Sequence, residues 1–340
     1  LIPGGAHTYS RGFDQFSYNT PGILKRGKGC YVYDNLNNKY LDYGMGLRAV
    51  ILGYADRQVN KAAIEQISNG NNLTRPSNIE MEVAIKLKKH FSYIDMVKFT
   101  KNSSNAVTGA TKLARAYNNK KIILRCLDHP FFSFDDWFIG STSLVRGIPK
   151  EISNLTKTFN YNDLESFKKQ LKKYKNQISC VVMEASSFFC PDIKGAKAEN
   201  PTQAFTYASA SKKSPYNYRP KQNYKKPHFL RDVQNLCKKN NIVFIVDETI
   251  TGFRWHFKGA CYRYKIKPDL VIFGKAIANG FSLAVLGGNK KYMKLGSIDI
   301  EKQERVFLLS STHGGEMSSL GASSKTIDLL WAGNRPVIPN

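Results

Sequence analysis

Residues 241–255 read NIVFIVDETITGFRW, and this stretch decides the fold. Five apolar residues, 242–246, run straight into Asp247 and Glu248. An apolar run of that length, rich in β-branched residues, reads as a strand buried on both faces, as in a parallel sheet. A carboxylate at the end of such a strand is costly to bury unless something cationic meets it. The partner of Asp247 is therefore the question that the rest of the sequence has to answer.

Outward from this strand, short apolar runs alternate with helical patterns. CYVYDNLNNKYLDYG reads as a hairpin around an Asn-rich turn. Residues 58–67 and 79–90 carry helical apolar spacing, and MVKFTKNSSNAVTGATKLARAY reads as strand, polar turn and helix. KIILRCL and ISCVVMEA read as strands, YNDLESFKKQLKKY as an amphipathic helix capped by Asn162, and 230–240 as a helix. DLVIFGK, AVLGG and RVFLLSS follow as apolar runs, and a last helix begins near Met317. The alternation predicts an α/β fold with a mainly parallel sheet.

The 340 residues suit one large domain plus a smaller one, and a 42% hydrophobic fraction excludes a wholly disordered chain. No apolar run approaches the ~18 residues of a membrane span. The N-terminus, LIPGGAHTYSRGF, lacks the pattern of a signal peptide and an initiator Met, so its true start is expected to lie upstream. The six cysteines form no C-x-x-C pair and no zinc spacing, so no metal is expected. Cys126, Cys180 and Cys237 read as small core residues of a reduced, cytoplasmic protein. The net charge of +25 is spread along the chain, which fits a lysine-rich solvated surface better than a nucleic-acid footprint. Residues 190–228 are polar, basic and Tyr-rich without periodicity, and read as a loop insertion. Stacking of those tyrosines on RNA is the alternative for that segment.

Three motifs compete to explain Asp247. A Walker B strand would need a Walker A loop, but GILKRGKG at 22–29 has glycine where a Mg²⁺-binding hydroxyl is required and no strand before it. KPDLVIFGKAIANG ends a second buried strand in Gly274 and Lys275. A lysine and an aspartate at adjacent strand ends mark the carboxyl edge of the sheet, where open α/β sheets bind ligands, though a plain ion pair would also satisfy both. TKNSSNAVTGATKLARAY sets Ser103 and Ser104 at a helix N-terminus, an anion site as well as an ordinary cap. Together the three are the set that pyridoxal 5′-phosphate (PLP) requires: a Schiff-base lysine, an aspartate for the pyridinium nitrogen, and a phosphate cradle.

At these residues the chain resembles the class III PLP-dependent aminotransferases, most closely the glutamate-1-semialdehyde 2,1-aminomutase branch. DETITGFRW and PDLVIFGKAIANGF carry the resemblance, supported by LARAY, DHPFFSFDDWFIGST and the opening IPGG. It implies a fold type I architecture, with a large domain on a mostly parallel, seven-stranded-type sheet and a small α+β domain built from both chain ends. It implies a homodimer with sites at the subunit interface. On this resemblance Lys275 carries the cofactor, Asp247 meets its ring nitrogen, Ser103 and Ser104 hold its phosphate, and Phe131 stacks on its ring. Glu184 approaches its edge, Thr312 reaches the phosphate of the neighbouring subunit, and Arg11 binds a substrate carboxylate. The expected domains are 1–55, contributing to the small domain; 56–325, the large PLP-binding domain; and 326–340, the start of a truncated or altered C-terminal segment.

Some features depart from the family's pattern. Ser103 stands where the phosphate turn usually has glycine, and Ala185 stands where proline usually follows the glutamate. The pattern also breaks off at LLWAGNRPVIPN, so the C-terminal part of the small domain is expected to be missing. The activity implied is amino-group transfer between a small amine donor and a carbonyl acceptor. An aminomutase and an aminotransferase of sugar-nucleotide or surface-polysaccharide pathways both fit. An inactive fragment or an RNA-binding relative that kept the fold is the alternative from outside enzymology.

Overall fold

A computed structural model describes residues 1–186, 191, 228–299 and 304–332. The strands are β1 (Leu24–Lys28), β2 (Tyr31–Asp34), β3 (Lys39–Leu41), β4 (Met96–Thr100), β5 (Ile122–Cys126), β6 (Thr156–Phe159), β7 (Ile178–Met183), β8 (Val243–Asp247), β9 (Leu270–Phe273) and β10 (Ala284–Gly288). The longer helices are α1 (Arg57–Ser68), α2 (Asn78–His90), α3 (Ser103–Asn118), α4 (Leu164–Lys173), α5 (Phe229–Lys239) and α6 (Met317–Trp331). The first three strands form a small antiparallel sheet. The other seven form one sheet in the order β4-β10-β9-β8-β7-β5-β6, parallel except for β10, which runs against both neighbours.

The strand quoted at the outset sits near the centre of that sheet, between β7 and β9. Side chains alternate across a strand, so Val243 and Ile245 pack on one face with Ala106, Val107, Ala110 and Leu113 of α3. Phe244 and Val246 pack on the other, with Phe229, Leu230 and Val233 of α5. All five residues of β8 are buried. Each such apolar side chain contributes about 1.5–3 kcal/mol of transfer free energy, so the strand is fixed before its polar end is considered. A third cluster joins Val271 and Phe273 of β9 to α2, α6 and Phe253. Cys126, Cys180 and Cys237 are buried core residues, as is Cys261.

One local reading is corrected, and other segments take shapes that the sequence left open. The cap of α4 is Asp163, whose side chain accepts from the Ser166 N–H at 2.9 Å, while Asn162 takes a left-handed φ of 56° before it. The run at 305–311 forms no strand: Leu309 packs on Gly109 of α3 and Leu308 on Gly296, so its apolar residues cover the sheet's helical layer instead. TKTF forms the edge strand β6, which its three consecutive polar residues concealed. The expected division at 325/326 falls inside the continuous helix α6. The basic insertion at 190–228, apart from Pro191 and His228, lies outside the described residues. No helix among the described residues is long and apolar enough to cross a membrane.

The two carboxylates that end β8 separate at once. Glu248 is fully buried and accepts from the N–H groups of Ala260 (3.0 Å) and Cys261 (2.6 Å) and from the Thr251 hydroxyl. It is a clamp that closes the 249–261 loop. Gly259 (φ 75°) allows this, since a Cβ there would stand 2.6 Å from Glu248 Oε1. Glu248→Ala leaves two buried N–H groups without an acceptor, and we expect a loss of about 3–5 kcal/mol in urea unfolding. Glu248→Gln, which keeps one acceptor, should lose about half as much. A loss under about 1 kcal/mol for the alanine variant would contradict the clamp.

Candidate active site

Asp247 shares the strand parity of Val243 and Ile245, and so lies on the α3 side of the sheet. Its side chain is buried, and Thr249 donates its main-chain N–H to Oδ1 at 2.8 Å. Burial raises its pKa to about 6, against the opposing pull of the Thr249 hydrogen bonds and of the Lys275 charge. Lys275 follows the adjacent strand β9 by two residues and takes a left-handed φ of 45°. Burial is the main cause that lowers its pKa. The carboxylates of Asp247 and Glu184 oppose this, and the charges of Arg48 and Arg254 reinforce it. Aspartate and lysine thus lie within electrostatic reach, yet no salt bridge joins them. The plain ion pair that the sequence allowed is not formed.

Gly274 ties this pair to the helix N-terminus. A Cβ on Gly274 would stand 2.2 Å from Ser103 Oγ and 3.2 Å from Thr249 Cγ2. The first turn of α3, the end of β9 and the residue following Asp247 and Glu248 therefore meet around one glycine. Asn102 caps α3 by accepting from the Asn105 N–H at 3.0 Å. The two serines part company: Ser104 is buried and its hydroxyl accepts from the Phe134 N–H at 3.3 Å, while Ser103 stays half-buried beside Gly274. Both hydroxyls keep an O–H to donate to an anion, and the free N–H groups of a helix N-terminus favour one there.

Glu184 follows β7 and is buried. Its main-chain N–H donates to Nδ1 of His129 at 3.0 Å. His129 is itself buried, and burial lowers its pKa to about 3, so the ring is neutral with its proton on Nε2. Sequence reasoning did not single out His129, although it lies within the quoted DHPFFSFDDWFIGST just beyond β5. Phe131 is half exposed, with one edge-to-face neighbour, Phe138, at 5.7 Å. Thr312 has an exposed side chain and holds Asn72 through its carbonyl at 3.2 Å. Arg11 is exposed on the turn Tyr9–Arg11, and its charge acts on Tyr54. Asp247, Lys275, Glu184 and Ser103 thus converge at the carboxyl edge of the sheet, while Arg11 and Thr312 stay on exposed segments. Among the described residues no cluster of His, Cys, Asp and Glu has the arrangement of a metal site.

A class III aminotransferase profile ("Aminotransferase class-III") matches residues 13–187 and 222–334. The chain belongs to this family of PLP-dependent enzymes. It is 29% identical over 336 residues to the glutamate-1-semialdehyde 2,1-aminomutase of Francisella philomiragia subsp. philomiragia, a match covering 96% of this chain and 69% of that protein. It is 31% identical over 306 residues to the enzyme of the same name from Wigglesworthia glossinidia brevipalpis, covering 86% and 62%. Its fold is similar to that of the FumI protein of Sphingopyxis sp. MTA144, with a TM-score of 0.78 at 22% identity, covering 97% of this chain and 70% of that one. The chain therefore spans between 62% and 70% of the length of these relatives.

A buried carboxylate with a raised pKa costs stability wherever it is ionised in the folded chain. The folded value near 6 exceeds the unfolded value of 3.8, so stability is greatest below pH 4 for this group and is lost as pH rises through 6. Asp247→Asn should therefore stabilise the cofactor-free protein at pH 8, by about 2–3 kcal/mol, and by almost nothing at pH 4. Urea midpoints at the two pH values measure this. An equal effect at both would contradict the assignment.

Proposed function

We propose that this chain is the PLP-binding part of an aminotransferase of glutamate-1-semialdehyde 2,1-aminomutase type, with Lys275 as the residue that carries the cofactor. One observation carries the proposal: a buried carboxylate and a largely buried lysine lie at neighbouring strand ends and are not paired. Such an arrangement is poor as a structural element and well suited to a ligand that brings its own cationic nitrogen. The residues fit the group. Asp247 would face the ring nitrogen and hold a proton there. Ser103, which packs into the space that the missing Cβ of Gly274 leaves, and the first N–H groups of α3 would hold the phosphate. Phe131 would cover the ring face, and Glu184, fixed through His129, would line its edge. Ser104, whose hydroxyl accepts from the Phe134 N–H and keeps its own O–H to donate, would join Ser103 on the phosphate.

When bound, PLP supplies an electron sink that lowers the cost of breaking a bond at the amine-bearing carbon. The chain's own contribution is proton control. Burial first, and then the charges of Arg48 and Arg254, lower the pKa of the Lys275 Nζ against the pull of Asp247 and Glu184, which favours the neutral amine. A neutral amine at that place is a general base able to take a proton and return it. Arg11 is proposed to hold a substrate carboxylate, and Thr312 to act on the phosphate of a neighbouring subunit. A homodimer is part of the proposal, since α1 and α2 leave Ile64, Ile67, Met81 and Ile85 exposed, an apolar cover for a second copy. A reducing compartment such as the cytoplasm accords with the free thiols of Cys30, Cys126, Cys180, Cys237 and Cys261.

The test is a single-turnover reaction of the PLP-loaded chain with an amine donor. Lys275→Ala should slow it by about 10²–10⁴-fold, and unchanged turnover would refute the assignment. A substrate with amine and carbonyl on one skeleton separates the two finer readings. Conversion to its positional isomer without a second acceptor supports the aminomutase. Strict demand for a separate carbonyl acceptor supports an aminotransferase of the sugar-nucleotide or surface-polysaccharide kind.

A further inference from the structure

The large sheet has an edge that the cofactor site does not use. β6 is its last strand and pairs only with β5. In a parallel pair each residue turns its N–H and C=O to the same side, and successive residues alternate sides. The carbonyls of Leu155 and Phe159 accept from the N–H groups of Ile123 and Leu127, on the β5 side, at 2.9 and 2.8 Å. Thr156 and Thr158 therefore turn their main-chain groups outward, with no further strand to meet them.

This edge runs along a cleft of about 310 Å³ whose two walls rise from the two faces of the sheet. Lys157 shares the strand parity of Phe159, which packs on Phe167 of α4, and Gln170, Lys173 and Tyr174 complete that wall. Thr156 and Thr158 lie on the other face, joined by Ser141, Thr142 and Ser153.

The walls differ in chemistry. On the first, the ammonium groups of Lys157 and Lys173 lie 5.7 and 5.2 Å from the centre of one ring, that of Tyr174. No lining residue is a carboxylate, and among the described residues neither lysine forms a salt bridge. A lysine on an edge strand ordinarily stands in water and keeps other strands away. Lys157 is instead half-buried near Tyr174. The second wall is oxygen. The hydroxyls of Ser141, Thr142, Ser153 and Thr156 donate to the carbonyls of Phe138, Ile139, Lys150 and Trp137, so toward anything else they are acceptors. Buried Arg125 fixes this wall from behind, donating to Ser141 Oγ at 2.6 Å and to Ser141 O at 2.8 Å, and sets a third positive charge there.

Two cations without a counter-ion call for an anion, and a row of acceptors calls for hydroxyl donors. We propose that this cleft is a second binding site, separate from the cofactor site, for a small phosphorylated polyol such as a sugar phosphate. The phosphate sits between Lys157 and Lys173, with the outward N–H of Thr158 as a further donor, and the hydroxyls turn toward Ser153 and Thr156. The volume lies at the low end of small-molecule sites, which suits a compact ligand. Two outward residues are too few to pair with a peptide strand of ordinary length. The cleft stands three strands along the sheet from β8, so it does not depend on the reading of Lys275.

Calorimetric titration of glucose 6-phosphate into the PLP-loaded chain, freed of excess PLP, tests this, with inorganic phosphate and glucose as partial ligands. We expect glucose 6-phosphate to bind, inorganic phosphate to bind about 10-fold more weakly, and glucose not to bind detectably. Lys157→Gln and Lys173→Gln should each weaken glucose 6-phosphate about 10-fold, and together abolish its binding. Both side chains lie outside the cofactor site, so the cofactor band and turnover of the variants should match the wild type. No binding to the wild type, or unchanged affinity in the double variant, would overturn the proposal. Inorganic phosphate binding as tightly as glucose 6-phosphate would overturn the assignment of a polyol. Should the chain take up no PLP, that failure belongs to the cofactor reading, and the same titration of the unloaded wild type and double variant still decides this one.

Discussion

The constraint on which the site depends is the burial of one carboxylate. Asp247 ends the central strand of the sheet where water is excluded, and its protein partners do not fully compensate its charge. The pKa near 6 is the signature of that deficit. Its neighbour Glu248 shows the alternative. It is more deeply buried, and it is satisfied by two N–H groups and a hydroxyl. Two adjacent carboxylates on one strand end therefore do opposite work. One closes a loop, and the other stays buried with a raised pKa, as the proposed pairing with a cofactor cation requires.

Everything else at the site follows from where that strand ends. Parallel pairing with β9 brings Lys275 alongside. Gly274 lets α3 approach closely enough for Ser103 to join them. Burial depresses the lysine's affinity for a proton by the same physics that raises that of the aspartate. A pair shifted in this way is costly to the folded chain without ligand. That cost is the expected mark of a site arranged for binding rather than for stability.

Much of this was legible in the sequence, because its signals are local. The apolar runs of β5, β7, β8 and β9 name themselves, and a lysine two residues beyond β9 and an aspartate closing β8 are placed by strand parity alone. What could not be read depends on distant partners. The different fates of Ser103 and Ser104 turn on Phe134, thirty residues away in the chain. His129 and Arg254 lie within the quoted motifs, but their roles need Glu184 and the Arg48 carbonyl. The left-handed turn at 45–48 contradicts the preferences of Met, Leu and Arg, so local propensity points away from it. Edge strand β6 escaped because three of its four residues, Thr156, Lys157 and Thr158, are polar.

The central claim is that Asp247 and Lys275 are a cofactor pair and not a structural one. Borohydride reduction of the chain incubated with PLP, followed by peptide mass spectrometry, tests it most directly. The account predicts a pyridoxyl label on Lys275, lost in Lys275→Ala and strongly reduced in Asp247→Ala. A folded chain that takes no label, or takes it equally on surface lysines in all three proteins, would contradict it.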